Sequence, residues 1–243
     1  MHHLPADSSL RYDPCEPRRC CERLRAPARS TPLCRLRDGL RGLGTTDSGE
    51  PARIAAARRG LDDTLAFADV LNSIDKDEDR GFPDTDLGWQ LRLAGGLLDS
   101  DVGLRVVHVP FGGFDTHDEQ AYMHGALMNE LGPAIAALQD DLTVRGLADR
   151  TRIATTSKFG RRPEQNGGGT DHGTAGPALL CGPVTPGLHG ETPRLDRLDD
   201  DGNLAATAMI EDYYATLAES WFGIPADEVL PPLATPAPEI IAT

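Results

Sequence analysis

Residues 104–117, LRVVHVPFGGFDTH, carry the pattern that decides the fold. The first six residues are almost continuously apolar and rich in β-branched side chains, which is typical of a strand covered on both faces. Pro110 and the Gly112–Gly113 pair end that strand, because proline lacks a backbone donor and glycine favours turns. The stretch therefore predicts a buried strand over 104–109, followed by a loop with polar side chains.

Helical and strand-like patterns alternate on either side of this stretch. Strands separated by helices favour a parallel sheet with helices on both faces, so the predicted fold class is α/β. Pro133 lies inside the third helix, where it removes a backbone donor, and it predicts a kink or break near 129–133. The predicted helices cover 53–75, 86–99, 119–145 and 205–222, and two further strands cover 152–156 and 177–181.

The composition narrows the classes of protein that the chain can belong to. A length of 243 residues favours one sizeable domain. No run of eighteen apolar residues exists, so we expect no membrane span. The chain has 24 basic and 38 acidic residues, a net charge of −14. That charge disfavours nucleic acid as a partner, because phosphate contacts need a positive surface.

The N-terminal segment differs from the rest of the chain. Residues 1–60 contain 12 arginines and 7 acidic residues, so they are basic while the remainder is strongly acidic. Four cysteines lie here without the paired spacing of a zinc site, and Arg18–Arg19 lacks the apolar run of an export signal. We expect a disordered tail over 1–50, an α/β domain over 51–235 and a flexible tail over 236–243. Because the sequence shows no export signal, we expect a cytoplasmic location by default. The four cysteines are Cys15, Cys20, Cys21 and Cys34.

Asp115 and His117 are the first candidate site residues. Residues two apart in an extended segment face the same side, about 7 Å apart along the chain, so a carboxylate and an imidazole can converge on one cation. An equally good interpretation is that Asp115 caps a helix starting near residue 118 and that His117 is merely exposed.

Two later loops carry the remaining candidates. A basic cluster over 157–162 fits an oxyanion site or an ordinary solvated loop. The loop over 160–174 holds three consecutive glycines before Asp171 and His172. An ordered loop so rich in glycine indicates close backbone approach, although a flexible linker is the alternative. Together, Asp115, His117 and His172 offer one carboxylate and two imidazoles. This is the ligand set of a catalytic zinc-type site, which has three protein ligands and one open position.

Residues from about 83 to 231 resemble the domain of unknown function 1501 family, on motifs that include GFDTH and GGTDHG. This family is placed in the alkaline phosphatase and sulfatase-like superfamily, and its members are often exported. The resemblance implies a three-layer α/β/α sandwich around a mostly parallel sheet, incomplete here at its N-terminal side. It also implies a metal site, with ligands at Asp115, His117 and His172 and a further candidate at Asp171.

Two departures from the family pattern affect this expectation. The family's usual Ser-Glu-Phe-Gly-Arg is here Ser-Lys-Phe-Gly-Arg, with Lys158 in place of the acid. Two unit charges 4 Å apart interact by about 4 kcal/mol at an effective dielectric constant near 20, and a divalent ion would feel about double that. We therefore expect at most one zinc-like divalent ion. The region before Asp115 also lacks a strand leading into a Ser or Thr nucleophile, so water attack is favoured.

These observations support two functions. One is a metal-dependent hydrolase of small phosphate or sulfate esters, in which Lys158 or Arg161 stabilises the developing negative charge. The alternative is a degenerate, non-catalytic family member or fragment that acts as a binding module or depends on a partner chain or an oligomer. The lysine substitution and the short N-terminal region favour the alternative, whereas the surviving carboxylate and imidazoles favour the enzyme.

Overall fold

The computed structural model describes residues 39, 51–74, 80–231, 234–237 and 240. The chain divides into two compact units, residues 1–77 and 78–243. Apart from residue 39, the predicted tail over 1–50 lies outside the described residues, and so does most of 236–243. The described residues form a mixture of helices and small antiparallel sheets.

Two of the predicted helices form almost as expected. Helix α1 spans Ala52–Ser73 in the first unit, and helix α2 spans Asp86–Asp99 in the second. The Thr85 side chain accepts a hydrogen bond from the Gly88 backbone N–H at 3.1 Å, so it caps α2. Local periodicity is enough to specify both helices, and the Thr85 side chain also fixes the start of α2.

Helix α3, Gln120–Val144, runs without interruption through Pro133. The predicted break is therefore wrong, because packing of the C-terminal half holds the helix together. Helices α2 and α3 share a small apolar core, within which Leu142 is fully buried. The buried members of this core are Leu87, Leu91, Ala134, Leu138 and Leu142.

A buried carboxylate also ties α2 to α3. The Asp141 side chain is wholly buried, and it accepts hydrogen bonds from Arg80 at 2.7 Å and from Arg145 at 2.8 Å. Arg145 also pairs with Asp99 at the end of α2, at 2.6 Å. Gly95 leaves room for this carboxylate, since a Cβ there would lie 2.5 Å from Asp141 Oδ2. A buried carboxylate needs cationic hydrogen-bond partners of this kind, because burial removes it from water.

The strands pair differently from the prediction. Strand β1, Ile153–Ala154, is antiparallel to β4, Leu180–Cys181. Strands β2, Gly160–Asn166, and β3, Gly169–Gly173, form an antiparallel hairpin where the sequence predicts a loop. Both ladders of the described residues are antiparallel, so the parallel sheet of the predicted three-layer sandwich is not confirmed.

The predicted strand over 104–109 is not formed. No backbone hydrogen bond joins residues 104–111 to any described part of the chain. Burial nevertheless alternates: Val109 and Phe111 pack against the core, whereas Val106 is 69% exposed. The segment therefore has the side-chain alternation of a strand and lacks the ladder that would make it one.

The last helix, α4, spans Ile210–Ser220, a shorter element than the predicted 205–222. Its Asp212 side chain accepts hydrogen bonds from the backbone N–H groups of Met209 and Thr235, which anchors the helix and the segment that follows it. Among the described helices, none combines the length and apolar character needed to cross a bilayer.

Candidate functional site

The loop before α3 presents Asp115 and His117 on one side. Gly113 adopts a φ of +98°, a conformation that side-chain-bearing residues rarely adopt, and it lies against Leu127. His117 Nε2 then lies 3.1 Å from Asp115 Oδ1. This contact confirms that the two side chains converge. Asp115 does not act as a helix cap, because the N-cap position of α3 is Glu119 and no side chain makes a capping hydrogen bond there.

The β2–β3 hairpin supplies His172. A two-residue turn, Gly167–Gly168, joins the strands, and Gly167 adopts a φ of +66°. Turns of this length favour glycine because they require a positive φ. His172 is paired across the hairpin with Arg161. The glycine-rich segment is thus an ordered turn that presents His172 at a fixed position.

The hairpin touches the first loop through its glycines. A Cβ on Gly169 would lie 2.8 Å from the carbonyl carbon of His117, and one on Gly168 would collide with the Asp118 carboxylate. The Gln120 backbone N–H donates to the Gly168 carbonyl at 3.0 Å. The expected close backbone approach is therefore confirmed, and it joins the two segments that carry the candidate ligands.

Asp115, His117 and His172 form one compact cluster. His172 Nε2 lies 2.7 Å from Asp115 Oδ1, and the two imidazole centroids are 4.9 Å apart. One donor atom from each residue lies within 4.8 Å of the other two. Phe159 stacks on the His172 ring, with a centroid separation of 3.8 Å and an interplanar angle of 8°. Nothing local in the sequence indicates this role for Phe159, since it depends on hairpin pairing.

The electrostatics of the cluster favour an ionised carboxylate. The hydrogen bond from His172 lowers the pKa of Asp115 below its ordinary value, and the contact with His117 acts in the same direction. The side chains remain accessible to solvent, with exposed fractions of 66% for Asp115, 52% for His117 and 42% for His172. The arrangement is an open surface site that offers one carboxylate and two imidazoles.

Asp171 lies beside the cluster. Its Oδ1 is 3.8 Å from His117 Nδ1, which is longer than a hydrogen bond, and its carboxylate accepts from the Asn166 side-chain amide at 3.3 Å. It therefore faces the nitrogen of His117 that points away from Asp115. At that distance Asp171 lies next to His117 without a hydrogen bond to it, and it is outside the group of three residues whose donor atoms converge.

The two predicted cationic residues have different surroundings. Arg161 uses both terminal guanidinium nitrogens on backbone carbonyls, donating to Thr170 O at 2.5 Å and to Phe114 O at 2.6 Å. Lys158 is exposed, and its ammonium makes no hydrogen bond or ion pair with the described residues. Of the two, Lys158 is the one whose charge is available to an anion.

Comparison with known proteins gives one match. Residues 92–219, just over half of the chain and including every residue of the cluster, match the family model described as Protein of unknown function (DUF1501). No curated protein and no solved structure matches the chain.

Proposed function

Since the chain belongs to the family described as Protein of unknown function (DUF1501), we propose a function from its own side chains: a hydrolase of phosphate or sulfate esters that uses one divalent metal ion. The observation that carries the proposal is the convergence of three donor atoms, from two segments far apart in sequence, within 4.8 Å of one another. Asp115, His117 and His172 are the proposed ligands.

The donor set fits a zinc-like ion. Zinc takes imidazole nitrogen and carboxylate oxygen ligands at about 2.0–2.2 Å, so tetrahedral ligand atoms lie roughly 3.3 Å apart. The contacts of Asp115 Oδ1, 3.1 Å to His117 Nε2 and 2.7 Å to His172 Nε2, are close to that separation. Three protein ligands leave one coordination position open, as catalytic zinc sites do.

Each side chain has a role in this proposal. His117 and His172 bind through Nε2, and Asp115 supplies a negative charge that its lowered pKa maintains at neutral pH. A bound ion of this kind supplies Lewis acidity and a lowered pKa for water. Lys158, whose ammonium makes no hydrogen bond or ion pair with the described residues, attracts the anionic ester and stabilises negative charge as it develops.

We propose a single ion because of Lys158. An ammonium in the slot where the family usually has a carboxylate removes one ligand and repels a second cation. Metal analysis of the purified protein should give one equivalent per chain. A Lys158→Glu variant should bind a second equivalent. Two equivalents in the wild-type protein would contradict the role given to the lysine.

The superfamily and the sandwich fold belong to the same proposal. The alternating burial of residues 104–111 and the packing of α2 against α3 are compatible with one edge of a larger α/β/α arrangement. Residues 104–111 have no backbone partner among the described residues, so in this proposal they offer an edge to which a strand of a partner chain or a second copy can pair.

The activity is tested with an aryl phosphate and an aryl sulfate, in the presence of zinc. We expect turnover by the wild-type protein and loss of both zinc binding and turnover in His172→Ala. His108→Ala is a matched control, since His108 is also an exposed histidine but lies outside the cluster. Zinc binding without turnover of either ester would reject the hydrolase and leave a metal-binding protein.

One observation favours the non-catalytic alternative. The ligand side chains are 42–66% exposed, whereas hydrolytic centres gain much of their electrostatic effect by excluding water. A binding module would tolerate this exposure. Under that alternative, the wild-type protein binds zinc or an anion but shows no turnover, and metal binding and turnover gained by Lys158→Glu would support a site that has decayed from an enzyme.

A further inference from the structure

We infer that Arg161 is a positioning residue for the cluster: its guanidinium sets the distance between the loop that carries Asp115 and the strand that carries His172. The consequence for metal affinity rests on the proposed function. The positioning itself rests only on contacts within the chain.

The contacts place Arg161 between the two segments. One terminal nitrogen donates to the carbonyl of Phe114, the residue directly before Asp115. The other donates to the carbonyl of Thr170, two residues before His172 on β3. Each end of the guanidinium is therefore fixed within two residues of a candidate ligand.

Arginine suits this role because of its shape. The guanidinium is planar and rigid, so two of its nitrogens hold two acceptors at a fixed separation. Lysine has the same charge, but its single ammonium sits on a flexible stem and reaches two carbonyls only in another geometry. The guanidinium also lies over the Phe159 ring, 5.1 Å from its centroid, and that ring stacks on His172. Arg161 thus supports His172 by a second route.

Besides the contacts within the cluster and the close approach of Gly168 and Gly169 to residues 117–118, two hydrogen bonds join the hairpin to the start of α3, and they do not replace Arg161. The Thr170 hydroxyl donates to the Gln120 side chain at 3.1 Å, and the Gln120 N–H donates to the Gly168 carbonyl. Both lie on the α3 side of the hairpin, away from Phe114. Among the described residues, the hydrogen bond from Arg161 is the only one that joins the Phe114 carbonyl to the hairpin.

The test compares Arg161→Lys with Arg162→Lys. The second variant is the control, because it makes the same substitution one residue away, on a side chain that contacts neither carbonyl. Zinc affinity is measured by competition with a chromogenic chelator. Proximity of the His117 and His172 rings is measured in the metal-free protein from nuclear Overhauser effects. Circular dichroism and thermal melting report whether each variant is folded.

We expect Arg161→Lys to bind zinc roughly 10- to 100-fold more weakly than the wild type. The nuclear Overhauser effect between the His117 and His172 rings should disappear, and the melting temperature should stay within about 4 °C of the wild type. Arg162→Lys should match the wild type in all three. Wild-type zinc affinity together with an unchanged ring contact in Arg161→Lys would overturn the inference.

Failure of the proposed function gives a different result. If the wild-type protein binds no zinc but Arg161→Lys loses the ring contact, the metal site is rejected and the positioning role stands. If the lysine variant does not fold, Arg161→Gln, which keeps one donor group, is tested with the same two measurements and the same criteria.

Discussion

Replacing Gly169 with alanine tests one of the contacts that hold the two ligand segments together. This glycine begins β3, and its Cα lies against the backbone of His117. A new Cβ would lie 2.8 Å from the His117 carbonyl carbon and oxygen. These atoms belong to backbone and cannot rotate away, so the hairpin and the loop must move apart.

The distances give the size of that movement. Ordinary contact of a Cβ begins at 3.4 Å, so the 2.8 Å approach must open by about 0.6 Å. The same opening would lengthen the 2.7 Å contact between His172 Nε2 and Asp115 Oδ1 to beyond the ~3.2 Å upper end of N–H···O hydrogen bonds. Sites of this kind tolerate about 0.5 Å of displacement. We expect zinc affinity to fall roughly 10- to 100-fold, or about 1.4–2.8 kcal/mol.

Zinc titration of Gly169→Ala measures this effect directly. Gly112→Ala is the matched control: it lies in the loop before Asp115, its φ is not positive, and no atom lies within 4 Å of a Cβ placed there. The control should keep wild-type affinity. Equal zinc affinity in Gly169→Ala and in the wild type would refute the view that close backbone approach holds the site together.

Three further predictions concern stability and pH. Asp141→Asn should lower the free energy of unfolding in urea by about 3–5 kcal/mol, because it breaks a buried ion pair, whereas exposed Asp140→Asn should change it little. Leu142→Ala should cost about 2–5 kcal/mol in the same assay, and Val144→Ala, at a position 79% exposed, should be near neutral. The lowered pKa of Asp115 means that its contribution to stability is present above the ordinary value of 3.8 and is lost as the pH falls through the lowered value. A carboxyl titration by NMR checks this shift, and a midpoint at or above 3.8 would contradict it.

The elements that the sequence predicted well are those with local signals. Apolar residues at helical spacing located α1, α2 and α3 within one or two residues. The break predicted at Pro133 is wrong, because the local cost of proline does not include the packing of Leu138 and Leu142 beyond it.

Sheet pairing could not be derived in this way. Whether 104–109 becomes a strand depends on a neighbour for its backbone, and periodicity contains no information about that neighbour. The glycines of 167–169 predicted close approach, and the convergence of Asp115 and His117 followed from their spacing. The contacts of Arg161 and Phe159 were missed, because they arise only when the hairpin aligns both residues with His172.

The stretch over 104–109 also has a dynamic consequence. Its side chains contribute to the core through Val109, but its amides lack acceptors among the described residues. Hydrogen exchange depends on the breaking of hydrogen bonds, so these amides should take up deuterium within seconds while those of the neighbouring α3 remain protected. A part of the chain that is anchored by its side chains would thus exchange like an unfolded peptide, and slower uptake would reveal a strand that has found a partner.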